Sequence, residues 1–299
     1  MKKQILLLIL YIIPLLLFSA PKHKVVLQIL GSGGSEMNDK RASASYLIWI
    51  DGKSRILIDC GGGSALRFEE AEANIEDLQL ILLTHLHIDH TSDLPAILKA
   101  RSFTDRNQTL PIYGPFGNKF MPDTENFIDR LFSTGKGAWE IMGKYLDGSA
   151  NFQIKAHTVT KSREVVSLFN ENNISVEAVT VHHGDIPSIA YRINIGSKSI
   201  TFSGDMNGEY HTLETLAKET DMLVIHNAIP QNAQASATAL YMTPHIIGEI
   251  AQKANPKTVI LSHRMKQTGE NELETISEIR KSYKGKVKFA DDLSKFLLL

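Results

Sequence analysis

A single cysteine, Cys60, is all the chain has in 299 residues. An intramolecular disulfide is therefore excluded, and the fold must hold by its core and by any metal it binds. An excess of one charge is also missing: 32 basic residues stand against 33 acidic ones, a formal net charge of −1. That balance gives no overall electrostatic pull toward nucleic acid or acidic membrane, leaving only a local basic patch open. Internal repeats and low-complexity linkers are absent, which removes solenoid and array architectures. No uninterrupted apolar span reaches the roughly 20 residues that cross a bilayer. The glycine-rich stretch Gly31-Ser32-Gly33-Gly34 lacks a following Lys-Ser/Thr pair, so it reads as a tight turn and not a phosphate loop.

What is present at the N-terminus is a short positive region, Lys2 and Lys3, followed by an apolar run from Ile5 to Phe18. This is the pattern of a secretory signal peptide, with Ser19-Ala20 as the cleavage point. Pro14 and the limited length argue against a membrane span, and no cysteine follows to carry a lipid. Residues 1–20 are therefore expected to be a signal peptide, or else a retained anchor that is the chain's only link to a membrane. The expected destination is the periplasm or cell envelope. Residues 21–299 then form the folded domain. Cys60 ends the apolar run Ile56-Leu57-Ile58-Asp59-Cys60 and reads as a small core residue.

The pattern along this domain is of strands with interspersed helices. Val25–Leu30 reads as a strand. Ser45–Ile50 and Arg55–Ile58 read as a hairpin around Asp51-Gly52, a dipeptide that favours such turns. Residues 64–77 read as helical, and Leu80–Leu83 as a buried strand. Thr91-Ser92-Asp93-Leu94-Pro95 carries helix-start signals. From Arg101 to about Thr160 the pattern loosens. A helical insertion is expected at about 116–150, lying over the site or packed as an ordinary helix. Further strands are expected at Ile174–Val181, Ile189–Ile193, Ser199–Phe202, Met222–Ile225 and Thr258–Leu261. Helices are expected at Leu213–Lys218, Pro244–Ala254 and Glu272–Lys281. Two sheets covered by helices fit this order.

Four strand ends carry residue types that bind metals. Thr84-His85-Leu86-His87-Ile88-Asp89-His90 follows the strand at 80–83. His182-His183-Gly184 follows the strand ending at Val181. Ser203-Gly204-Asp205 follows Phe202, and Ser262-His263-Arg264 follows Leu261. Imidazole and carboxylate are the usual protein ligands of Zn2+ and similar cations. Core packing gives no reason for such groups at four strand ends. Seven candidate ligands also suit two metals better than one, because a catalytic zinc commonly takes three protein groups plus water.

These motifs, in this order, resemble the metallo-β-lactamase superfamily of binuclear hydrolases: His-x-His-x-Asp-His, a later His, a Gly-Asp and a late His. The resemblance covers essentially the whole chain after the leader. It implies an α/β (α+β) fold, a four-layer αββα sandwich with the metals along one edge. Carried over by position, it makes His85, His87 and His183 ligands of one metal, with His182 the alternative to His183. Asp89, His90 and His263 would hold the second, and Asp205 would bridge the two. Zn2+ is the expected metal, with Mn2+ or Fe2+ open. Asp59, at an early strand end, would orient a ligand histidine through its second ring nitrogen; the plain alternative is a turn-capping aspartate.

Within the superfamily the ribonuclease Z-like branch is the closest in appearance. His183-Gly184, Pro187-Ser188-Ile189-Ala190-Tyr191-Arg192, Ser203-Gly204-Asp205 and Leu261-Ser262-His263-Arg264 carry that similarity. Two departures stand out: His226-Asn227 where the branch commonly has His-Glu, and Tyr241-Met242-Thr243 where it commonly has His-Ser-Thr. No long Gly/Lys-rich arm for gripping tRNA is visible. The expectation is thus an exported binuclear hydrolase in which a metal-bridging hydroxide attacks a phosphodiester or other small ester. Asp89 and Asp205 would orient or relay its proton, and His226 would polarise a substrate oxygen or serve as a hydrogen-bonded core histidine. A small-molecule ester is the expected substrate, and nucleic acid is argued against. The alternatives are an RNA-processing endonuclease and a non-enzymatic metal-binding module. His23, His157, His211 and His245 have no motif context. Oligomeric state is not legible.

Overall fold

The computed structural model describes residues 23–298. The N-terminal segment read as a signal peptide or anchor lies outside them. Among the described residues no helix is long and apolar enough to cross a membrane.

Two seven-stranded sheets face each other. The first contains β1 (Val25–Gly31), β2 (Ser45–Ile50), β3 (Lys53–Ile58), β4 (Leu80–Leu82), β5 (Leu110–Gly114) and β6 (Ile154–Thr158). The second contains β7 (Val166–Glu171), β8 (Ile174–His183), β9 (Ile186–Ile195), β10 (Lys198–Phe202), β11 (Met222–His226), β12 (Thr258–Ser262) and β13 (Lys286–Phe289). The last strand, β14 (Lys295–Leu298), returns to pair with β1 and closes the outer edge of the first sheet.

The continuous apolar runs of the central strands follow from burial on both faces. Leu80 and Leu82 of β4 point between the sheets, while Ile81 points outward. Met222 and Val224 of β11 point inward, while Leu223 and Ile225 point outward. Three cores result. The middle one joins the inner faces, for example Tyr46 and Ile48 against Tyr191, Ile193 and Phe202. An outer core packs Phe68, Leu94, Leu98, Ile128 and Phe132 onto the first sheet. The other packs Ile247, Ile250, Ala251 and Ile279 onto the second. Each such buried side chain contributes about 1.5–3 kcal/mol. The layering is helix, sheet, sheet, helix, the expected αββα sandwich.

Several elements differ from their sequence reading. The helix expected over 64–77 ends after Ser64–Glu70, because Glu72 takes a left-handed conformation (φ 58°). A separate 3-10 turn then covers Ile75–Asp77. The helical turn Ile88–Thr91 begins inside the histidine motif, before the helix Leu94–Arg101. Within 116–150, the helix Thr124–Phe132 and the turn Glu140–Tyr145 bury Ile128, Phe132, Met142 and Tyr145 in the outer core of the first sheet. Asn118 reaches the loop after β8, its Nδ2 donating to the Asp185 carbonyl at 2.7 Å.

Candidate metal centre

The topology brings the motif-bearing strand ends together. β3 and β4 run parallel in one sheet, as do β10, β11 and β12 in the other. Side chains just past their C-terminal ends therefore meet at one edge of the sandwich. Two hydrogen bonds tie the sheets there: Ile189 N–H donates to the Thr84 carbonyl (2.9 Å), and the Tyr191 hydroxyl donates to the Leu83 carbonyl (3.0 Å). Gly204 is required by position. Its φ is +60°, and a Cβ there would lie 2.9 Å from the Ile189 carbonyl oxygen. The peptide can thus turn Asp205 into the site.

Asp59 is fully buried at the end of β3. Its Oδ1 accepts from Thr84 N–H (2.7 Å), and its Oδ2 accepts from the Thr84 hydroxyl (2.8 Å) and from His90 Nδ1 (2.8 Å). One carboxylate so fixes both the start of the motif and the ring of His90. Cys60 adds backbone contacts only: its N–H donates to the His90 carbonyl at 2.7 Å, and its own carbonyl accepts from Asp93 N–H. The thiol is buried, and burial pushes it well above the ordinary thiol range.

His85, His87, His183 and Asp205 form one group whose ligand-type atoms lie within 4.8 Å of one another. Asp89, His90 and His263 form a second, and Asp205, His226 and His263 overlap it. Asp205 Oδ2 sits 3.6 Å from His85 Nε2 and 3.7 Å from both His90 Nε2 and His183 Nε2. His90 Nε2, His183 Nε2 and Asp205 Oδ2 are buried without a hydrogen-bond partner. An unsatisfied buried polar atom costs about 1–3 kcal/mol. Three of them, two imidazole nitrogens and a carboxylate oxygen, converge with a third imidazole nitrogen, His85 Nε2, and that donor set is one a divalent cation satisfies at once. The residues therefore fit divalent metal ions.

The charge states of five of these groups suit that task, whereas His90 must give up a proton to a cation. Burial pushes His85, His87 and His183 below the ordinary imidazole range, so they stay neutral, the form that binds metal. Burial would raise Asp89, but hydrogen bonding to His263 and the adjacent His90 hold it at about 2. Burial likewise opposes ionisation of Asp205, yet His263 and His226 keep it well below the carboxylate range. Burial disfavours charge on His90, but Asp59 outweighs it and holds this group well above the imidazole range.

Every sequence-expected ligand except the alternative His182 lies in the cluster. His183 donates from Nδ1 to the Leu240 carbonyl at 2.9 Å, which leaves Nε2 facing Asp205. His182 points to the other face of β8, where Nδ1 is 3.3 Å from Glu209 and the ring packs edge-on against Tyr210. His226 differs from the substrate-polarising expectation. Nδ1 donates to Asp205 Oδ1 at 2.7 Å, and Nε2 accepts from the Tyr46 hydroxyl at 2.9 Å. Neither ring nitrogen is left for a substrate oxygen.

Two residues carried no sequence signal as part of this site. Tyr46 looks like any inward residue of a strand, yet its hydroxyl braces His226 and lies 3.1 Å from Ser262 Oγ. Tyr241 registered only as a departure from a motif. Its ring centre lies 5.3 Å from that of His183 and 6.1 Å from that of His263, so it flanks both halves of the cluster. Its hydroxyl makes no hydrogen bond among the described residues.

A family model described as the beta-lactamase superfamily domain matches residues 54–264. Ribonuclease Z from Mycobacterium sp. (strain KMS) is 28% identical over 247 residues, covering 79% of this chain and 82% of that protein. The fold is shared with the metallo-beta-lactamase fold protein YhfI from Bacillus subtilis, with a TM-score of 0.72 and 18% identity over 92% of this chain and all of that one. It is also shared with human tRNase Z, short form: TM-score 0.68 and 19% identity over 92% of this chain and 99% of that one. These relatives correct the expectation that argued against nucleic acid. Proteins named for action on RNA match most of the chain. The Tyr241-Met242-Thr243 departure, the missing arm and the expected export misled here, because none of them alters the cluster itself.

Proposed function

The chain belongs to the metallo-β-lactamase superfamily and is a metal-dependent hydrolase, and from that premise we propose that it cuts phosphodiester bonds in RNA at a site holding two divalent cations, zinc first among them. One observation carries the reading: Asp205 presents Oδ1 to His226 and His263, while its free Oδ2 faces His85, His90 and His183. A single carboxylate is thus placed between two sets of donors. The ribonuclease Z relatives support RNA as the substrate.

His85, His87 and His183 would hold one cation, Asp89, His90 and His263 the other, and Asp205 both. Bound there, such cations supply Lewis acidity toward a phosphoryl oxygen and make water acidic enough to attack near neutral pH. The chain's own groups do the rest. Asp59 keeps His90 aimed through Nδ1. His226, braced by Tyr46, holds Asp205 by Oδ1. Asp89 and Asp205 stay ionised and can accept a proton from attacking water. Tyr241 flanks the cluster and offers a hydroxyl donor to a substrate oxygen.

The test is turnover of bis(p-nitrophenyl) phosphate and of a short single-stranded RNA by zinc- or manganese-loaded protein, with Asp205→Asn as the control. Cleavage of both that disappears in the variant is expected. A folded, metal-loaded protein that leaves RNA intact would overturn the substrate. Export rests on the Lys2–Phe18 pattern as a separate proposal, checked by the mass of the chain in the envelope fraction.

A further inference from the structure

Beside the metal cluster, on the face of β8 turned away from it, lies a cleft of about 280 Å³ lined by Phe116, Lys161, His182, Asp185 and Tyr210. We propose that this cleft is the track on which a single RNA strand lies as it enters the site. The inference rests on the reading of RNA as substrate.

Three observations carry it. The first is position. His182 lines the cleft and its neighbour His183 reaches into the metal cluster, so one step along β8 separates the two. Gly184, the residue after His183, lines the cleft too, so the cleft opens at the end of β8 where the cluster lies, and a strand leaving it passes round that end to the site. The second is ring chemistry. The Arg163 guanidinium lies 3.7 Å from the centre of the Tyr210 ring, and Lys161 Nζ lies 5.6 Å from that of Phe116. His182 packs edge-on against Tyr210 at 4.9 Å. Aromatic rings with cations beside them are what unpaired bases and their phosphates use together: bases stack on the ring faces the cations leave open, or replace the cation there, and the cations meet the backbone. The third is rigidity. Asn118 Nδ2 donates to the Asp185 carbonyl, and Asn207 N–H donates to the His182 carbonyl at 2.8 Å. The walls are therefore tied to the strand that carries the ligand.

The cleft also holds carboxylates. Asp185 lines it, and Glu209 is 3.3 Å from His182. With Lys161 and Arg163 against the rings of the same cleft, the rim is mixed in sign and not a broad basic field. That favours a stacked single strand over a duplex gripped by its backbone alone.

The experiment measures binding, not turnover. Full-length, metal-loaded protein is titrated against a short, fluorescently labelled single-stranded RNA with phosphorothioate linkages, across a salt series. Tyr210→Ala and the double variant Lys161→Ala/Arg163→Ala are each expected to weaken binding about tenfold or more, Tyr210 through the loss of base stacking. The double variant should also flatten the salt dependence, by about 0.7 in slope for each phosphate that is no longer neutralised. The control is Arg106→Ala/Lys155→Ala, which removes the same charge from a different cleft, lined by Leu78, Gln79 and Tyr113. It should bind as the unaltered protein does.

If the unaltered protein binds the RNA and the cleft variants match it, the track is wrong and RNA as substrate stands. If the control loses as much as the double variant, binding is general electrostatics and the track is wrong. Absence of salt-sensitive RNA binding in the unaltered protein overturns the substrate reading and the track with it.

Discussion

His226 Nδ1 lies 2.7 Å from Asp205 Oδ1, buried at the edge of the sandwich, and this contact sets which oxygen of Asp205 faces His85, His90 and His183. The imidazole is itself held from behind by Tyr46. Replacing His226 by Phe leaves a buried carboxylate without its donor and free to rotate. The expected result is a loss of metal affinity of about 10–100-fold, the usual effect of removing a group that orients a ligand. Competition with a chromophoric chelator measures it. Unchanged metal affinity would show that the rest of the cluster alone fixes Asp205.

Asp59 holds more by geometry than by charge alone. It accepts three hydrogen bonds in a fully buried place, two of them from Thr84. Asp59→Ala strips the partners from a backbone N–H, a hydroxyl and His90 together. A loss of about 3–5 kcal/mol is expected in urea unfolding of the metal-free chain. Asp59→Asn keeps an oxygen for one of these donors, so it should lose less stability, while still releasing His90 and weakening metal binding. A metal affinity equal to the parent's in Asp59→Asn would reduce Asp59 to a turn-capping residue.

The pair His182 and His183 gives a test with opposite outcomes on adjacent residues. His183 is buried with Nε2 facing Asp205, whereas His182 is partly exposed beside Glu209 and Tyr210. His183→Ala should lose bound metal by elemental analysis. His182→Ala should keep its full complement. The reverse result would mean that β8 is displaced by one residue, since a one-residue slip exchanges the two faces of a strand.

The residues of the cluster were legible in the sequence because chemistry, spacing and strand ends coincided at His85–His90, Asp205 and His263. The central strands were legible because burial on both faces makes them continuous apolar runs, as in Met222–Ile225 and Thr258–Leu261. The edge strands were not. β13 alternates exposed and half-buried positions, and in β7 no residue is fully buried. Strands such as these are defined by partners far along the chain and not by local pattern. The same holds for Tyr46 and Tyr241, whose roles come from rings that the fold carries to them. The helix over-reading at 64–77 failed at Glu72, where a left-handed residue ends the segment without a glycine to announce it.

Acidity should act on the metal-free chain in one direction. Burial pushes the His226 imidazole down to about 4, and burial also lowers His85, His87 and His183. In the unfolded chain each titrates near the ordinary value of about 6.5. Between those values the unfolded state binds more protons than the folded one. The stability these groups contribute is present above about pH 6.5 and is lost as pH falls toward about 4. His90 and His263 are raised, so they act above that window. Thermal unfolding of metal-free protein should therefore show a midpoint that drops from about pH 6.5 to about pH 4. The His226→Phe variant should show a shallower drop. A flat midpoint across that range would mean that these rings are already solvated or charged when metal is absent.

Tyr241 offers the sharpest test of how this chain departs from its branch. The ring stands against His183 and His263, and the hydroxyl makes no hydrogen bond to the protein among the described residues. Burial raises its pKa, with Asp205 and Asp89 adding to the effect, so the phenol keeps the proton it can donate. A donor aimed at a substrate oxygen matters most when negative charge grows on that oxygen, so its loss should fall on kcat and little on KM. Tyr241→Phe removes the proton and keeps the ring packing. A fall of about 10–100-fold in kcat is expected, the range for a hydrogen bond to a charged partner, with metal content unchanged. Tyr241→His should restore part of the rate, because an imidazole at this position also presents an N–H to the site. A Phe variant with the parent's kcat would leave Tyr241 as a wall of the pocket, and the donor would have to be sought among the other neighbours of the cluster.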